Sequence, residues 1–328
     1  MKYKEYCGFQ YGYDKEDGYS ILPNKKKGQP SSFFKYCSLS KNSVDALTNM
    51  YVYATHPNLF NDPFDCNEKL IAFETWEDVN QLLHPVIKNS KEYFYCLEKA
   101  LHFCREAYQI ILYRKLGLVS LATRPDNYQM WALYAENNGF CLEFDVNKFP
   151  FRHFGPFPMN YAVKIPGPVS ISECGGEISM LIQSNVKNEW WKYEDEWRLY
   201  IPNPVGLDMK SFGNEYHMKK YNNGDEHDRK FRYSIEALKS VILGSKFFEK
   251  LTPIVISPFE IDVICSPDAD SLEFIVLDFL ARITEKLSLT IKWANLSDFS
   301  SYNFIPIGII KYSDRRFRIY EINNQDNS

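Results

Sequence analysis

The sequence lacks the short motifs that identify several large enzyme classes. It has no GxGxxG, GxxxxGK[ST], GxSxG or HExxH pattern, so the usual fingerprints of dinucleotide-binding folds, nucleoside triphosphatases, α/β hydrolases and zinc proteases are missing. The 8 cysteines form no CxxC pair, and no His or Cys stands at zinc-ligand spacing. We therefore expect reduced cysteines and no structural metal.

Long apolar runs are also missing. No run approaches the roughly 20 apolar residues that a membrane-spanning helix requires. The first residues, MKYKEYCGFQYGYDKEDGYS, lack the apolar centre of a secretory signal. A formal net charge of -4 argues against a protein that coats nucleic acid non-specifically. These absences predict a soluble, cytoplasmic protein with no membrane partner.

The composition is that of a globular protein. Hydrophobic residues make up 45% of the chain and aromatic residues 16%, which is ample for a core. Strand and helix patterns alternate irregularly with hairpin-like spacings, which favours an α+β fold with mixed or antiparallel sheets and flanking helices. We expect an irregular N-terminal arm over residues 1–32, a core domain over 33–250 and an appended βαβ-like α/β extension over 251–328.

Periodicity predicts the individual elements. Helices are expected at 40–49, within 75–115, and at 127–136, 172–187, 234–239 and 272–287, the last capped by Ser266 or Asp268. A mobile hairpin or loop is expected over residues 203–232. The lysine run at 25–27 is expected to be a solvated segment. Strands are expected at 33–39, 50–56, 117–123, 140–146, 159–165, 187–201, 240–245, 259–265, 289–294, 304–310 and 316–322.

The stretch KNEWWKYEDEWRLYI, residues 187–201, carries the most chemistry. If it forms a strand, alternation places Glu194, Glu196 and Arg198 on one face. Two carboxylates and a guanidinium beside aromatic residues suit a cleft that holds a ribose hydroxyl or stabilises a developing cation. The alternative is that Arg198 only neutralises Glu196 on a solvated face.

A second polar group stands in the loop NLFNDPFDC. Asn61, Asp62 and Asp65 lie close together and are flanked by Phe60 and Phe64. They are candidates for the same site. The alternative is that the two aspartates only tie the turn to backbone amides.

Four blocks of the sequence are distinctive: FKYCSLSKNSVDALTNMYVYATHPNLFNDPFDC, VSLATRPDNYQMWALYAENNGFCLEFDV, KNEWWKYEDEWRLYI and LKSVILGSK, which together span about residues 33–250. In this order they resemble the family of domains of unknown function called DUF2971. A weaker similarity extends to ADP-ribosyltransferase-like folds, in which an early strand, an aromatic strand and a late Glu-bearing strand bind NAD.

The resemblance to ADP-ribosyltransferase-like folds implies roles for several candidate residues. The ribose contact falls to Lys35 or Tyr36, and the ring that stacks on nicotinamide to Tyr53. The catalytic carboxylate is Glu196 or Glu194. Trp131 or Tyr134 would form a wall of the pocket. Arg198 or Arg124 would contact the pyrophosphate, because a guanidinium matches phosphate oxygens two at a time.

The resemblance therefore implies an enzyme that uses NAD as substrate. It would cleave NAD or transfer ADP-ribose to an unknown macromolecular acceptor, protein or nucleic acid, as a toxin or phage-defence effector. One alternative is a non-catalytic module that senses a nucleotide, nucleic acid or phage protein. Another is a metal-dependent nuclease or hydrolase that uses Asp62, Asp65, Glu194 and Glu196. No pattern indicates an oligomeric state.

Overall fold

The computed structural model describes residues 2–23, 28–83, 87, 89–149, 155–202, 229–258, 260–265, 271–284, 289–296 and 301–322. Helices and mixed or antiparallel sheets confirm the predicted α+β class. The chain divides into two compact units. Unit 1 is Met1–Gln29, Tyr53–Ser120 and Phe151–Phe231, and unit 2 is Pro30–Val52, Leu121–Pro150 and Arg232–Ser328. Each unit is thus discontinuous in sequence, and the units do not follow the predicted boundaries at residues 32 and 250.

Helices and strands are interspersed along the described part of the chain. The α-helices are α1 (Lys41–Thr48), α2 (Trp76–Leu83), α3 (Ser90–Tyr93), α4 (Leu97–Lys115), α5 (Tyr128–Leu133), α6 (Ile171–Cys174), α7 (Gly176–Asn185) and α8 (Leu272–Thr284). Short 3₁₀ helices span Pro57–Leu59, Glu68–Leu70, Glu189–Glu194 and Ile235–Ala237. The strands are β1 (Lys2–Tyr6), β2 (Phe9–Asp14), β3 (Gly18–Pro23), β4 (Ser32–Cys37), β5 (Tyr51–Tyr53), β6 (Ile71–Ala72), β7 (Leu116–Leu121), β8 (Phe140–Asp145), β9 (Phe157–Pro158), β10 (Asn160–Ala162), β11 (Val169–Ser170), β12 (Val186–Asn188), β13 (Trp197–Pro202), β14 (Lys230–Arg232), β15 (Leu238–Leu243), β16 (Thr252–Ser257), β17 (Glu260–Ile264), β18 (Thr290–Leu296), β19 (Tyr302–Ser313) and β20 (Arg316–Glu321).

The N-terminal segment is a three-stranded antiparallel sheet of β1, β2 and β3, so the predicted irregular arm is wrong. Cys7 and Gly8 connect the first two strands with φ angles of 49° and 76°. Positive φ at both residues of a two-residue loop is the geometry of a tight hairpin turn. Tyr11 and Ile21 are buried in the core of unit 1. The sheet is therefore an integral part of unit 1.

The helices of unit 1 pack around this core. Helix α4 lies within the range 75–115 where helix was predicted, and it buries Ala100, Cys104, Tyr108 and Leu112 along one apolar stripe. The helix predicted at 172–187 is interrupted by Gly175, whose φ of +82° ends α6 before α7 begins. Small sheets complete the unit, with strand orders β7-β13-β9, β10-β12 and β11-β6.

Unit 2 is built on an eight-stranded sheet with the order β16-β17-β20-β19-β18-β15-β8-β4. Strand β18 is parallel to β15, and the strands on either side of this pair are antiparallel. Three antiparallel steps separate β17 from β18, so these strands run in opposite directions. The predicted βαβ-like arrangement around α8 is therefore wrong.

Four further predictions are wrong or fall on residues outside the described ranges. The helix predicted at 234–239 is a 3₁₀ turn, after which β15 begins at Leu238. The capping candidates Ser266 and Asp268, the lysine run at 25–27 and residues 203–228 of the predicted loop lie outside the described residues.

Candidate functional site: a buried ion cluster

The stretch 187–201 is not one continuous strand. It contains the end of β12, the 3₁₀ helix Glu189–Glu194 and then β13, with Asp195 in the left-handed conformation at φ 43° between them. This turn separates Glu194 from the strand that carries Arg198. Glu194, Glu196 and Arg198 are nevertheless brought together, because all three side chains contact a shared ion network.

That network, which we call the ion cluster, lies entirely within unit 1. Its members are Asp65, Lys187, Glu194, Glu196 and Arg198, which are all buried. The alternative of a solvated Arg198–Glu196 pair is therefore wrong, since the Arg198 side chain is 0% exposed.

Arg198 occupies the centre of the cluster. Its Nη1 and Nη2 donate to the two carboxylate oxygens of Asp65, at 2.9 and 2.5 Å. Its Nε and Nη2 donate to the two oxygens of Glu196, at 2.7 and 3.2 Å. Nη1 also donates to the carbonyl oxygen of Ser184 at 2.6 Å. A guanidinium has five N–H donors, and all five of Arg198 are used by these protein acceptors.

Lys187 connects the remaining carboxylates. Its Nζ lies 2.6 Å from Oε2 of Glu194, 3.4 Å from Oε2 of Glu196 and 3.5 Å from Oδ2 of Asp65. Three carboxylates thus share two cations, and the cluster carries one excess negative charge. Burying charge is costly unless it is paired, so such a group is a candidate for function as well as stability.

The cluster strongly favours the ionised form of Glu196. Burial alone would raise the pKa of Glu196, but the charges of Arg198 and Lys187 and hydrogen bonds from Arg198 and Ser120 lower that pKa to about 2. Burial likewise opposes the charge of Lys187, yet the neighbouring carboxylates raise its pKa. Glu196 is therefore an anion across the physiological pH range.

Aromatic side chains surround the cluster. The Arg198 guanidinium carbon lies 4.6 Å from the ring centre of Phe60, and Lys187 Nζ lies 4.9 Å from that of Trp191. The backbone N–H of Glu196 donates to the hydroxyl of Tyr161 at 2.9 Å. Two further rings, Phe64 and Trp190, are 65% and 83% exposed in the segments that carry the carboxylates.

The NDPFD loop contributes differently at each of its polar residues. Asp65 belongs to the ion cluster, whereas Asn61 is exposed. Asp62 is buried, and its Oδ1 accepts the backbone N–H of Phe64 at 2.9 Å. The other carboxylate oxygen of Asp62 is buried without a hydrogen-bond partner among the described residues.

The other predicted ligand contacts are Tyr53 and a group in unit 2. Tyr53 ends β5 in unit 1 and is partly buried. In unit 2, the Tyr36 hydroxyl donates to the carbonyl oxygen of Arg124 at 2.9 Å, and its ring packs edge-on against Trp131 at 5.3 Å. Trp131 is fully buried in the core of unit 2. The remaining members of this group are Lys35 and Tyr134, which are partly buried.

Sequence reasoning missed the role of Lys187. The sequence did contain an indication of this role, because Lys187 precedes the Trp-x-Tyr-Glu-x-Glu-Trp-Arg block. The Ser184 carbonyl and the Tyr161 hydroxyl carried no sequence signal, because the first is a main-chain group and the second lies in an unrelated strand.

Residues 130–199 match the DUF2971 family. The family model carries the description "Protein of unknown function (DUF2971)", and the predicted resemblance is confirmed over these residues. The DUF2971 segment includes Lys187, Glu194, Glu196 and Arg198, whereas Asp65 lies before it. The resemblance outside 130–199 and the ADP-ribosyltransferase-like core stay predictions. No curated protein and no solved structure matches the chain.

Two further observations concern metals and membranes. Within the described ranges, no three His, Cys, Asp or Glu side chains are grouped so as to hold a metal ion. Similarly, no helix in the described part of the chain is both long and apolar enough to cross a bilayer.

Proposed function

We propose that this protein binds NAD at the ion cluster and cleaves the bond between nicotinamide and ribose. ADP-ribose would pass to a macromolecular acceptor, protein or nucleic acid, or to water. The observation that supports this most is Glu196, a buried carboxylate that is kept ionised and is held in place by Arg198 and Lys187. A role as a toxin or phage-defence effector belongs to the same proposal.

The excess negative charge of the cluster suits this substrate. The nicotinamide ring of NAD carries a positive charge, and cleavage of its bond to ribose moves that charge onto the sugar as an oxocarbenium-like state. A carboxylate that is already oriented and shielded from water stabilises such a charge without reorganisation. Glu196 meets these conditions because it is 4% exposed and is hydrogen-bonded at both oxygens.

The ionised state of Glu196 suits cleavage of an N-glycosidic bond better than cleavage of an O-glycosidic bond. Hydrolysis of an O-glycoside requires a carboxylic acid that protonates the leaving oxygen. A group whose pKa is about 2 cannot supply that proton near neutral pH. Nicotinamide leaves as a neutral molecule and needs no proton, so an ionised carboxylate is sufficient.

In this proposal Arg198 is a positioning residue. All its donors are engaged by Asp65, Glu196 and the Ser184 carbonyl, so it orients Glu196 and leaves no donor for a pyrophosphate in this arrangement. Phe64 and Trp190 have exposed rings and lie in the segments that carry Asp65 and Glu194. Such rings can stack on the flat rings of a nucleotide.

Nicotinamide release from NAD tests the proposal directly. We expect Glu196→Gln to lower the rate by about 100-fold or more, as removal of a preorganised charge-stabilising group does. Glu189→Gln is the matched control, because Glu189 lies in the same segment outside the ion cluster. Thermal unfolding of both variants shows whether the fold is retained, and Glu194→Gln provides a second cluster variant. Wild-type protein that neither binds nor consumes millimolar NAD would overturn the proposal.

A second candidate is a non-catalytic receptor for a nucleotide. It is favoured by the saturation of Arg198 and of both Glu196 oxygens, since a fully paired cluster can persist without turnover. In that case NAD or another nucleotide raises the melting temperature, by an amount set by its concentration relative to Kd. Stabilisation by NAD with no nicotinamide release would favour this candidate.

A further inference from the structure

Asp62 and Asp65 lie in one turn but differ in their hydrogen-bond partners. Both residues are buried, at 4% and 6% exposure. Asp62 is held in place because its Oδ1 accepts the N–H of Phe64 and its carbonyl oxygen accepts the N–H of Asp65 at 3.0 Å. Asp65 gives both carboxylate oxygens to Arg198. Oδ2 of Asp62 has no hydrogen-bond partner among the residues that the structure describes.

This oxygen is an exception in the described part of the chain. The buried carboxylates there are Asp62, Asp65, Asp78, Glu143, Glu194, Glu196 and Asp262. Among them, only Asp62 has a buried oxygen that lacks a hydrogen-bond partner. Leaving a buried polar atom unpaired is costly, and the cost is greater for a charged group. A donor from outside the described chain would remove that cost.

The unpaired oxygen lies in the same turn as Asp65, a member of the ion cluster. Asp62 precedes Asp65 by one turn, and its charge acts on the hydroxyl of Tyr193, which precedes Glu194 directly. Burial raises the pKa of Tyr193, the charges of Glu194 and Asp62 raise it further, and Lys187 opposes them. Together, this turn and the ion cluster contain four carboxylates and two cations. The missing partner is therefore expected to be an N–H donor with positive charge.

We propose that Asp62 is the specificity-determining residue of this site and accepts an N–H of the nicotinamide carboxamide. This rests on the proposed function, because it assumes that the nicotinamide end of NAD lies against the cluster. The ring supplies the positive charge, and the carboxamide supplies the donor that Oδ2 lacks. A nicotinic acid ring carries a carboxylate at the same position, which offers no donor and repels Asp62. The site therefore selects NAD over nicotinic acid adenine dinucleotide.

Binding of the two dinucleotides by calorimetry tests this assignment. We expect the wild-type protein to prefer NAD by about 100-fold or more, as sites with a buried hydrogen-bonding group do. Asp62→Asn keeps the acceptor for the Phe64 N–H but removes the charge. It should weaken NAD binding by about tenfold or more and reduce the preference to near parity, since an amide no longer repels a carboxylate. Asp14→Asn is the matched control, because Asp14 also accepts a backbone N–H two residues ahead but is only partly buried.

Thermal unfolding without ligand gives an independent readout. Removing an unpaired buried charge should raise the melting temperature of Asp62→Asn by about 2 °C. Asp62→Ser, whose hydroxyl also caps such a turn, serves if the Asn variant does not fold. A variant that keeps the wild-type preference for NAD overturns the role of Asp62 and leaves the proposed function intact. Wild-type protein that binds neither dinucleotide overturns both.

Discussion

Asp65 and Arg198 form a two-pronged ion pair between residues that are 133 positions apart in the sequence. Both side chains are 0% exposed. The pair joins the NDPFD loop to β13 and thereby fixes where Glu196 lies. Stability and the candidate site therefore depend on the same contact.

Removing one partner of this pair should destabilise unit 1 strongly. Asp65→Asn leaves the buried guanidinium with less compensating charge, and breaking a buried pair in this way typically costs about 3–5 kcal/mol. Urea unfolding measures the change, and Asp14→Asn should stay within about 0.5 kcal/mol of wild type. A loss below about 1 kcal/mol for Asp65→Asn would contradict the buried pair.

Acid should destabilise the protein over a defined range of pH. The pKa of Glu196 is lowered from 4.5 to about 2 in the folded protein. Its contribution is therefore fully present above the unfolded pKa and is lost as pH falls from about 5 towards 2. Linkage puts the loss at about 3 kcal/mol. Unfolding measured at several pH values should show a plateau above pH 5, and Glu196→Gln should flatten the slope below it.

The carboxylate of Asp78 caps two helices. Its Oδ2 accepts the N–H groups of Glu74 and Thr75 before α2, and its Oδ1 accepts the hydroxyl of Ser170 and the N–H of Ser172 at the start of α6. Burial alone would raise the pKa of Asp78, but these hydrogen bonds lower it well below its ordinary value.

Asp78→Ala should therefore cost about 3 kcal/mol, since each lost cap costs about 1 kcal/mol and buried donors lose their acceptor. Glu77→Ala, an exposed neighbour in the same helical turn, should cost less than about 1 kcal/mol. Equal effects of the two variants in thermal unfolding would argue against the double cap.

Gly139 and Gly244, two glycines of unit 2, lie in close contact with backbone atoms. The N–H of Gly244 donates to the carbonyl oxygen of Gly139 at 2.8 Å. A Cβ on Gly139 would meet the carbonyl oxygens of Cys37 and Ala135, and one on Gly244 would meet that of Asn137. Backbone atoms cannot move aside as a side chain can.

Gly139→Ala and Gly244→Ala should each destabilise the protein by about 1–3 kcal/mol, as overpacking does. Gly28→Ala is the control, because nothing lies within 4 Å of the added methyl group. Denaturant midpoints compare the three variants. If Gly139→Ala matched the control, the close backbone contact would not exist in solution.

Local patterns predicted much of the fold. Helix α1 lies within the predicted range 40–49, and α4 lies within the predicted range 75–115. Errors arose where backbone conformation overrode composition. The positive φ angles of Cys7 and Gly8 form a hairpin turn in a segment rich in Lys and Tyr. Asp195, also at positive φ, interrupts residues 187–201, which alternation predicted to be a single strand.

Neighbouring residues carry the periodicity and the local motifs, so the sequence was enough to predict the α+β class, the DUF2971 segment and the residue types of the candidate site. Which charges pair depends on the tertiary structure, because Asp65 lies 133 positions before Arg198 in the sequence. The charges of Arg198 and Lys187 that lower the pKa of Glu196, and the burial of the Asp62 Oδ2 without a hydrogen-bond partner among the described residues, likewise depend on how the elements of unit 1 pack.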